Sequence, residues 1–138
     1  MILSLASLEG AKQIPFLIDL LRGDSGVQSL MEELERTETS LATAAPSVME
    51  IWTGALLSKF TDKQKAKVKD LVLSLIILPL DEKSSIEAGE IAADMAQKGI
   101  SIDPVDLMIA GVVRANGEKL VTRDQDYAKI SGLKVLKY

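Results

Sequence analysis

The feature that most constrains this chain is residues 103–127, where a helix, a short buried strand and an acidic turn follow one another. Asp103 suits a helix N-cap and Pro104 the first helical position: a carboxylate accepts an otherwise orphaned backbone N–H, and proline has none to lose. Val105, Met108, Ile109, Val112 and Val113 recur at i, i+3, i+4, i+7 and i+8, which is one face of a helix packed on a core. Gly117 predicts its end. Residues 119–122 then read as a strand, and the chain leaves it through Arg123, Asp124 and Asp126. Carboxylates therefore fall at a helix start and just past a strand end. In an open parallel α/β sheet those places meet at one rim, where ligands bind, so the spacing predicts that Asp106 and Asp124 face each other there. Taken alone, Asp103 and Asp106 serve equally well as the capping pair that any helix start favours.

The rest of the chain repeats the alternation. Residues 1–6 form a candidate first strand, residues 15–21 a short helix closed by Gly23, and residues 27–36 a helix with Val27, Leu30, Met31 and Leu34 on one face. A second strand is expected at 41–43, followed by a helix from Pro46 that carries Glu50, Trp52 and Leu56. Trp52 reads as a core or interface residue, because no second aromatic nearby completes a base-stacking platform. Thr61 and Gln64 stand at capping-box spacing and open a further helix. Its Lys63, Lys65, Lys67 and Lys69 fall at every second position, so a helix spreads them around its surface as a solvated face, with RNA contact as the lesser alternative. Residues 75–78 are a continuous apolar run, the pattern of a strand covered on both sides. Residues 81–98 make an amphipathic helix with Ala88, Ile91, Ala92 and Met95 in one stripe, ended by Gly99. This order predicts an α/β fold, a short-stranded parallel sheet with helices on both faces, in a single domain over residues 1–138.

Composition narrows the chemistry. The chain has no Cys and no His, which removes disulfides, thiolate or imidazole metal sites and every His-based mechanism. Catalysis must rest on carboxylates, hydroxyls, Lys, Arg or a hard metal ion. A net charge of -4 argues against indiscriminate nucleic-acid binding, because a polyanion needs a basic track. The charge is uneven: residues 81–106 hold seven acids against two bases, and residues 114–138 six bases against three acids. An acidic pocket beside a basic rim suits a metal-dependent enzyme with an anionic substrate, and ordinary solvated helix faces account for the same pattern. No Gly-rich phosphate loop is present. The apolar run at 71–80 falls well short of the ~20 residues that cross a bilayer, and the first eight residues lack the positive start of a signal peptide. A cytoplasmic protein without membrane association is expected.

Asp106, Leu107, Met108, Ile109 and Ala110, then Asn116 and Gly117, then residues 120–127 stand at a spacing that closely resembles the PIN domain, in particular the toxin ribonucleases of the VapC type. The resemblance continues through residues 130–135 and reaches back through residues 88–91 and 15–23, so it covers most of the chain. It implies a PIN-like fold and a metal-dependent ribonuclease of a toxin–antitoxin system, which hydrolyses RNA phosphodiesters with a carboxylate-held Mg²⁺ or Mn²⁺. Glu50, on the helix after the second strand, matches a family glutamate. The implied catalytic residues are Glu50, Asp106 and Asp124. Asp106 is the main metal ligand, Glu50 and Asp124 are further ligands or water-orienting groups, and Asp126 is a weaker candidate. Independently, a helix N-terminus favours the ionised carboxylate that a cation requires at Asp106. Arg114, Lys119 and Arg123 are candidate phosphate contacts. The resemblance also implies an RNA substrate, a cognate antitoxin and a homodimer.

One departure stands against this. The family's first strand ends in an aspartate, and without a gap that position falls on Gln13; with an insertion after a first strand at residues 3–7 it falls on Ala6. Neither supplies a charged ligand, and losing one acid of four weakens metal binding. Two expectations of different class follow: a ribonuclease, active or impaired, or a catalytically silent PIN-fold protein acting as a binding or assembly module.

Overall fold

The computed structural model describes Ile2, Leu3 and residues 25–137. The helix expected at 15–21, and the positions Ala6 and Gln13, lie outside these residues. The described elements are β1 (Ile2–Leu3), α1 (Ser25–Arg36), β2 (Ala42–Ala44), α2 (Ala45–Leu57), α3 (Asp62–Ser74), β3 (Ile76–Leu78), α4 (Glu82–Gln97), α5 (Pro104–Ala115), β4 (Lys119–Val121), a 3-10 turn (Asp126–Lys129) and β5 (Lys134–Leu136). The five strands form one sheet in the order β3-β2-β1-β4-β5, and all four pairings are parallel. This is the expected α/β arrangement.

The period of two along a strand sorts its side chains to opposite faces. Leu120 packs with Ala42, Ala44, Ile91, Met95, Ile109 and Val113 beneath α4 and α5. Its neighbour Val121 packs with Leu30, Ile51, Ala55, Val68 and Val72 beneath α1, α2 and α3. Helices thus cover both faces. Trp52 belongs to the second cluster, as expected of a packing residue, and Lys69 Nζ lies 6.0 Å from its ring centroid.

Local chemistry starts and stops the helices. Both halves of the Thr61 capping box form: Gln64 N donates to Thr61 Oγ1 over 3.2 Å, and Thr61 N donates to Gln64 Oε1 over 2.9 Å. Asp81 Oδ1 accepts from Ser84 N and Asp103 Oδ1 from Val105 N, each at 2.9 Å. Gly99 and Gly117, at φ of +70° and +65°, take the left-handed backbone that ends α4 and α5. Lys63, Lys67 and Lys69 are exposed along α3, in keeping with a solvated face.

The strand at 75–78 corrects an expectation. It is not covered on both sides: β3 lies at the sheet edge with a single neighbour, and Ile76 and Ile77 are 55% and 41% exposed. A continuous apolar run describes a strand without saying where in the sheet it goes.

α4 and α5 approach closely at Gly111. A Cβ there would stand 2.5 Å from the Ser84 carbonyl oxygen, 2.6 Å from Ala88 Cβ and 2.8 Å from Ala88 N. Two of those atoms are backbone, so the helices themselves must separate to admit a methyl group. Gly111→Ala is expected to cost about 2–3 kcal/mol in urea unfolding despite its better helix propensity. An unchanged unfolding midpoint would show that the two helices are not locked together there.

Candidate active site

Glu50 comes from the second turn of α2, immediately after β2, and Asp106 from the first turn of α5. α2 and α5 touch across the carboxyl ends of the strands, and both side chains are buried, at 4% and 9% exposure. Burial first, and then the charges of Asp106 and Asp103, raise the pKa of Glu50 from 4.5 to about 7. Asp106 rises from 3.8 to about 6. Burial is again the largest cause, Asp124, Asp103 and Asp126 add to it, and a hydrogen bond from Tyr127 opposes it. Oε2 of Glu50 has no hydrogen-bond partner.

The acidic turn is shaped by its own side chains. Asp124 N donates to Thr122 Oγ1 over 3.1 Å, and Asp126 N donates to Asp124 Oδ1 over 2.8 Å. These bonds fold the chain sharply as it leaves β4 and lead it into the 3-10 turn. There Tyr127, 1% exposed, donates its hydroxyl to Asp106 Oδ1 over 2.7 Å. Asp126 points elsewhere, to a half-exposed ion pair with Lys129 Nζ at 2.6 Å.

The sequence-derived acids thus share one electrostatic neighbourhood centred on Asp106. Among the described residues, however, no group of three or more acids converges closely enough to hold a metal ion. The donor chemistry fits a hard divalent cation all the same: every available ligand is oxygen, and Glu50 Oε2 is buried and unpaired. Asp103, Tyr127 and Ser47 were not singled out as site residues by sequence reasoning. Asp103 caps α5 and also bears on both buried acids. Ser47 is fully buried one turn before Glu50. For Tyr127 the available signal was an aromatic residue with a polar tip directly after the acidic turn.

Arg114, a candidate phosphate contact, is engaged within the fold. It lies in the last turn of α5, at the opposite end from Asp106. Its Nε binds Glu87 Oε2 over 2.5 Å, its Nη2 stands 3.6 Å from Glu90, and its Nη1 donates to the Ser131 carbonyl over 3.2 Å. It ties α4 to the loop before β5. Lys119 is exposed at the start of β4, likewise away from the carboxyl rim.

A short parallel sheet that gathers two buried carboxylates from two helices at its carboxyl rim, with a partly buried third at a strand exit, defines an α/β protein built around an acidic centre. The family model described as "PIN domain" matches residues 16–133, and the chain belongs to that family. Its relatives are of the VapC type. It is 27% identical over 109 residues to the "tRNA(fMet)-specific endonuclease VapC" of Salmonella typhimurium, covering 78% of this chain and 83% of that protein. To the protein of the same description from Shigella flexneri it is 26% identical over 107 residues, covering 77% and 81%. The solved VapBC2 complex of Rickettsia felis, bound to a DNA fragment from its promoter, contains a chain with a TM-score of 0.81 at 24% identity, covering 100% of this chain and 99% of that one. At that identity the structure establishes the fold.

The pKa values of the two acids carry a consequence for stability. Their folded values lie above the ordinary carboxylate range, so between about pH 4 and pH 7 the folded chain binds more protons than the unfolded chain. Stability therefore falls as pH rises through that window and levels off above it. Glu50→Gln removes the larger part: the variant should be more stable than the parent at pH 8, by on the order of 3 kcal/mol, and close to it at pH 5. Equal unfolding midpoints at both pH values would mean that Glu50 is not buried as a carboxyl.

Proposed function

We propose that this chain is a metal-dependent ribonuclease of the VapC toxin type, hydrolysing RNA phosphodiesters at the rim that carries Glu50 and Asp106. The observation that supports it best is the pair of buried carboxylates from two different helices, each destabilised by burial and by other acids. Such a pair is costly to a fold and characteristic of a working site. In this reading Asp106 is the main ligand for Mg²⁺ or Mn²⁺, Glu50 and Asp124 are further ligands or water-orienting groups, and Asp126, engaged by Lys129, is peripheral. When bound, the cation supplies Lewis acidity that activates water and stabilises the leaving oxygen. The chain's own part is to fix Asp106 through Tyr127 and to bring the buried Glu50 carboxyl to the same rim, where it can hold the cation or orient the water. The descriptions of the VapC relatives make initiator tRNA the first substrate to try. The toxin-antitoxin systems among the similar solved structures favour restraint by a cognate antitoxin; a cytoplasmic homodimer is proposed on the family resemblance alone.

A second reading is a catalytically silent PIN-fold module. It is favoured by the lack of an acid at either position onto which the first family aspartate falls, Gln13 or Ala6, and by the lack, among the described residues, of a converged group of three acids.

The test is cleavage of initiator tRNA and bulk RNA by the purified, partner-free protein in Mn²⁺. Cleavage is expected to vanish in EDTA and to fall at least about a hundredfold in Asp106→Asn, since even outer-shell changes cost 10- to 100-fold. Intact RNA in the presence of folded protein, with cleavage appearing in Gln13→Asp or Ala6→Asp, would establish the silent module instead.

A further inference from the structure

Ser47 stands in the first turn of α2, three residues before Glu50, and is fully buried. Its Oγ has no hydrogen-bond partner, and neither has Glu50 Oε2. A buried hydroxyl left unpaired is destabilising and calls for an explanation. The ordinary duties of a first-turn serine do not supply one. The N-cap of α2 is Ala44, with no side-chain cap bond, and Ser47 Oγ makes no bond back to a carbonyl of the preceding residues.

Residues at i and i+3 share a helix face, and helical side chains lean toward the N-terminus. The Glu50 carboxyl is therefore carried back over the turn that holds Ser47. One of the two unpaired groups is a donor and the other an acceptor. Rotation of the serine about χ1 and of the carboxyl about its last torsion are the freedoms through which the two groups can pair.

We propose that Ser47 is a positioning residue for Glu50: its hydroxyl donates to Glu50 Oε2 and so fixes the orientation of the carboxyl that would hold the cation. Ligating carboxylates are generally held by such an outer hydrogen bond, and losing it typically weakens metal affinity 10- to 100-fold. This inference rests on the cation site of the proposed function, and the experiment separates the two.

The intact protein is titrated with Mn²⁺ alone and the free ion followed by electron paramagnetic resonance, for the parent, Ser47→Ala, Ser47→Thr, Ser47→Val, Asp106→Asn and Glu50→Gln. Ser47→Ala is expected to bind Mn²⁺ about tenfold more weakly, with Thr restoring the affinity and Val failing to. Thr and Val have nearly the same shape, so that contrast isolates the hydroxyl from packing and survives even if the alanine variant folds poorly. In a Glu50→Gln background, Ser47→Ala should have no further effect. Equal affinity of the Thr and Val variants, with Asp106→Asn still weakening binding, overturns the role of Ser47 and leaves the cation site standing. No Mn²⁺ binding by the parent, or binding indifferent to Asp106→Asn, overturns the site and the inference together.

Discussion

The hydrogen bond from the Tyr127 hydroxyl to Asp106 closes the C-terminal half of the fold onto itself. It joins the first turn of α5 to the 3-10 turn that follows β4, across 21 residues of chain. Both partners are buried, and in a buried place the loss of a polar contact is not made good by water. The bond sets where Asp106 stands, and with it the field that reaches Glu50 across the junction of α2 and α5. The turn Thr122–Asp124–Asp126 is the device that delivers Tyr127 to that place.

Two physical effects compete at Asp106. The N-terminus of α5 and the Tyr127 hydroxyl both favour the carboxylate, and the helix-dipole argument alone predicts an ionised group ready for a cation. Burial and three neighbouring acids oppose them, and the net result is a pKa raised to about 6. Desolvation wins because the helix contributes only a partial charge, whereas taking a carboxylate out of water removes most of its solvation. A site of this kind is tense without a positive partner. At Glu50, which has no donor to its Oε2, the balance tips further, to about 7.

What the sequence made legible follows from the range of each signal. α5 was readable in full because its start, stripe and stop are local: Asp103, Pro104, the apolar positions from Val105 to Val113, and Gly117. The Thr61 box and the strand at β4 were readable for the same reason. The edge position of β3 was not, because strand order depends on pairings far apart in sequence, and an apolar run looks the same at the centre and at the edge. The partners of Arg114 were illegible for a related reason. Its position in the last turn of α5 fixes the end of the helix at which it lies, but only the packing of α4 against α5 at Gly111 brings Glu87 and Glu90 to it. Asp103 shows the limit from the other side: a residue fully explained by capping also bears on the two buried acids.

The sheet order explains why the first family aspartate matters. β1 lies between β2 and β4, and Leu3 pairs with Thr43 on one side and Val121 on the other. β2 leads directly into the helix of Glu50, and β4 leads through Thr122 to Asp124. The carboxyl end of β1 therefore opens between the two routes that carry acids to the rim. A carboxylate supplied there would stand between the routes to Glu50 and Asp124, where it could share a cation with them. The described acids come in a pair, Glu50 and Asp106, with Asp124 acting on Asp106 from the turn. A cation held by that pair would have to offset their mutual repulsion with fewer ligands, so its binding must be weaker and more dependent on how firmly each carboxyl is oriented. Under that constraint the groups that hold the acids, Tyr127 at Asp106 above all, weigh more than they would in a site with its full set of charges.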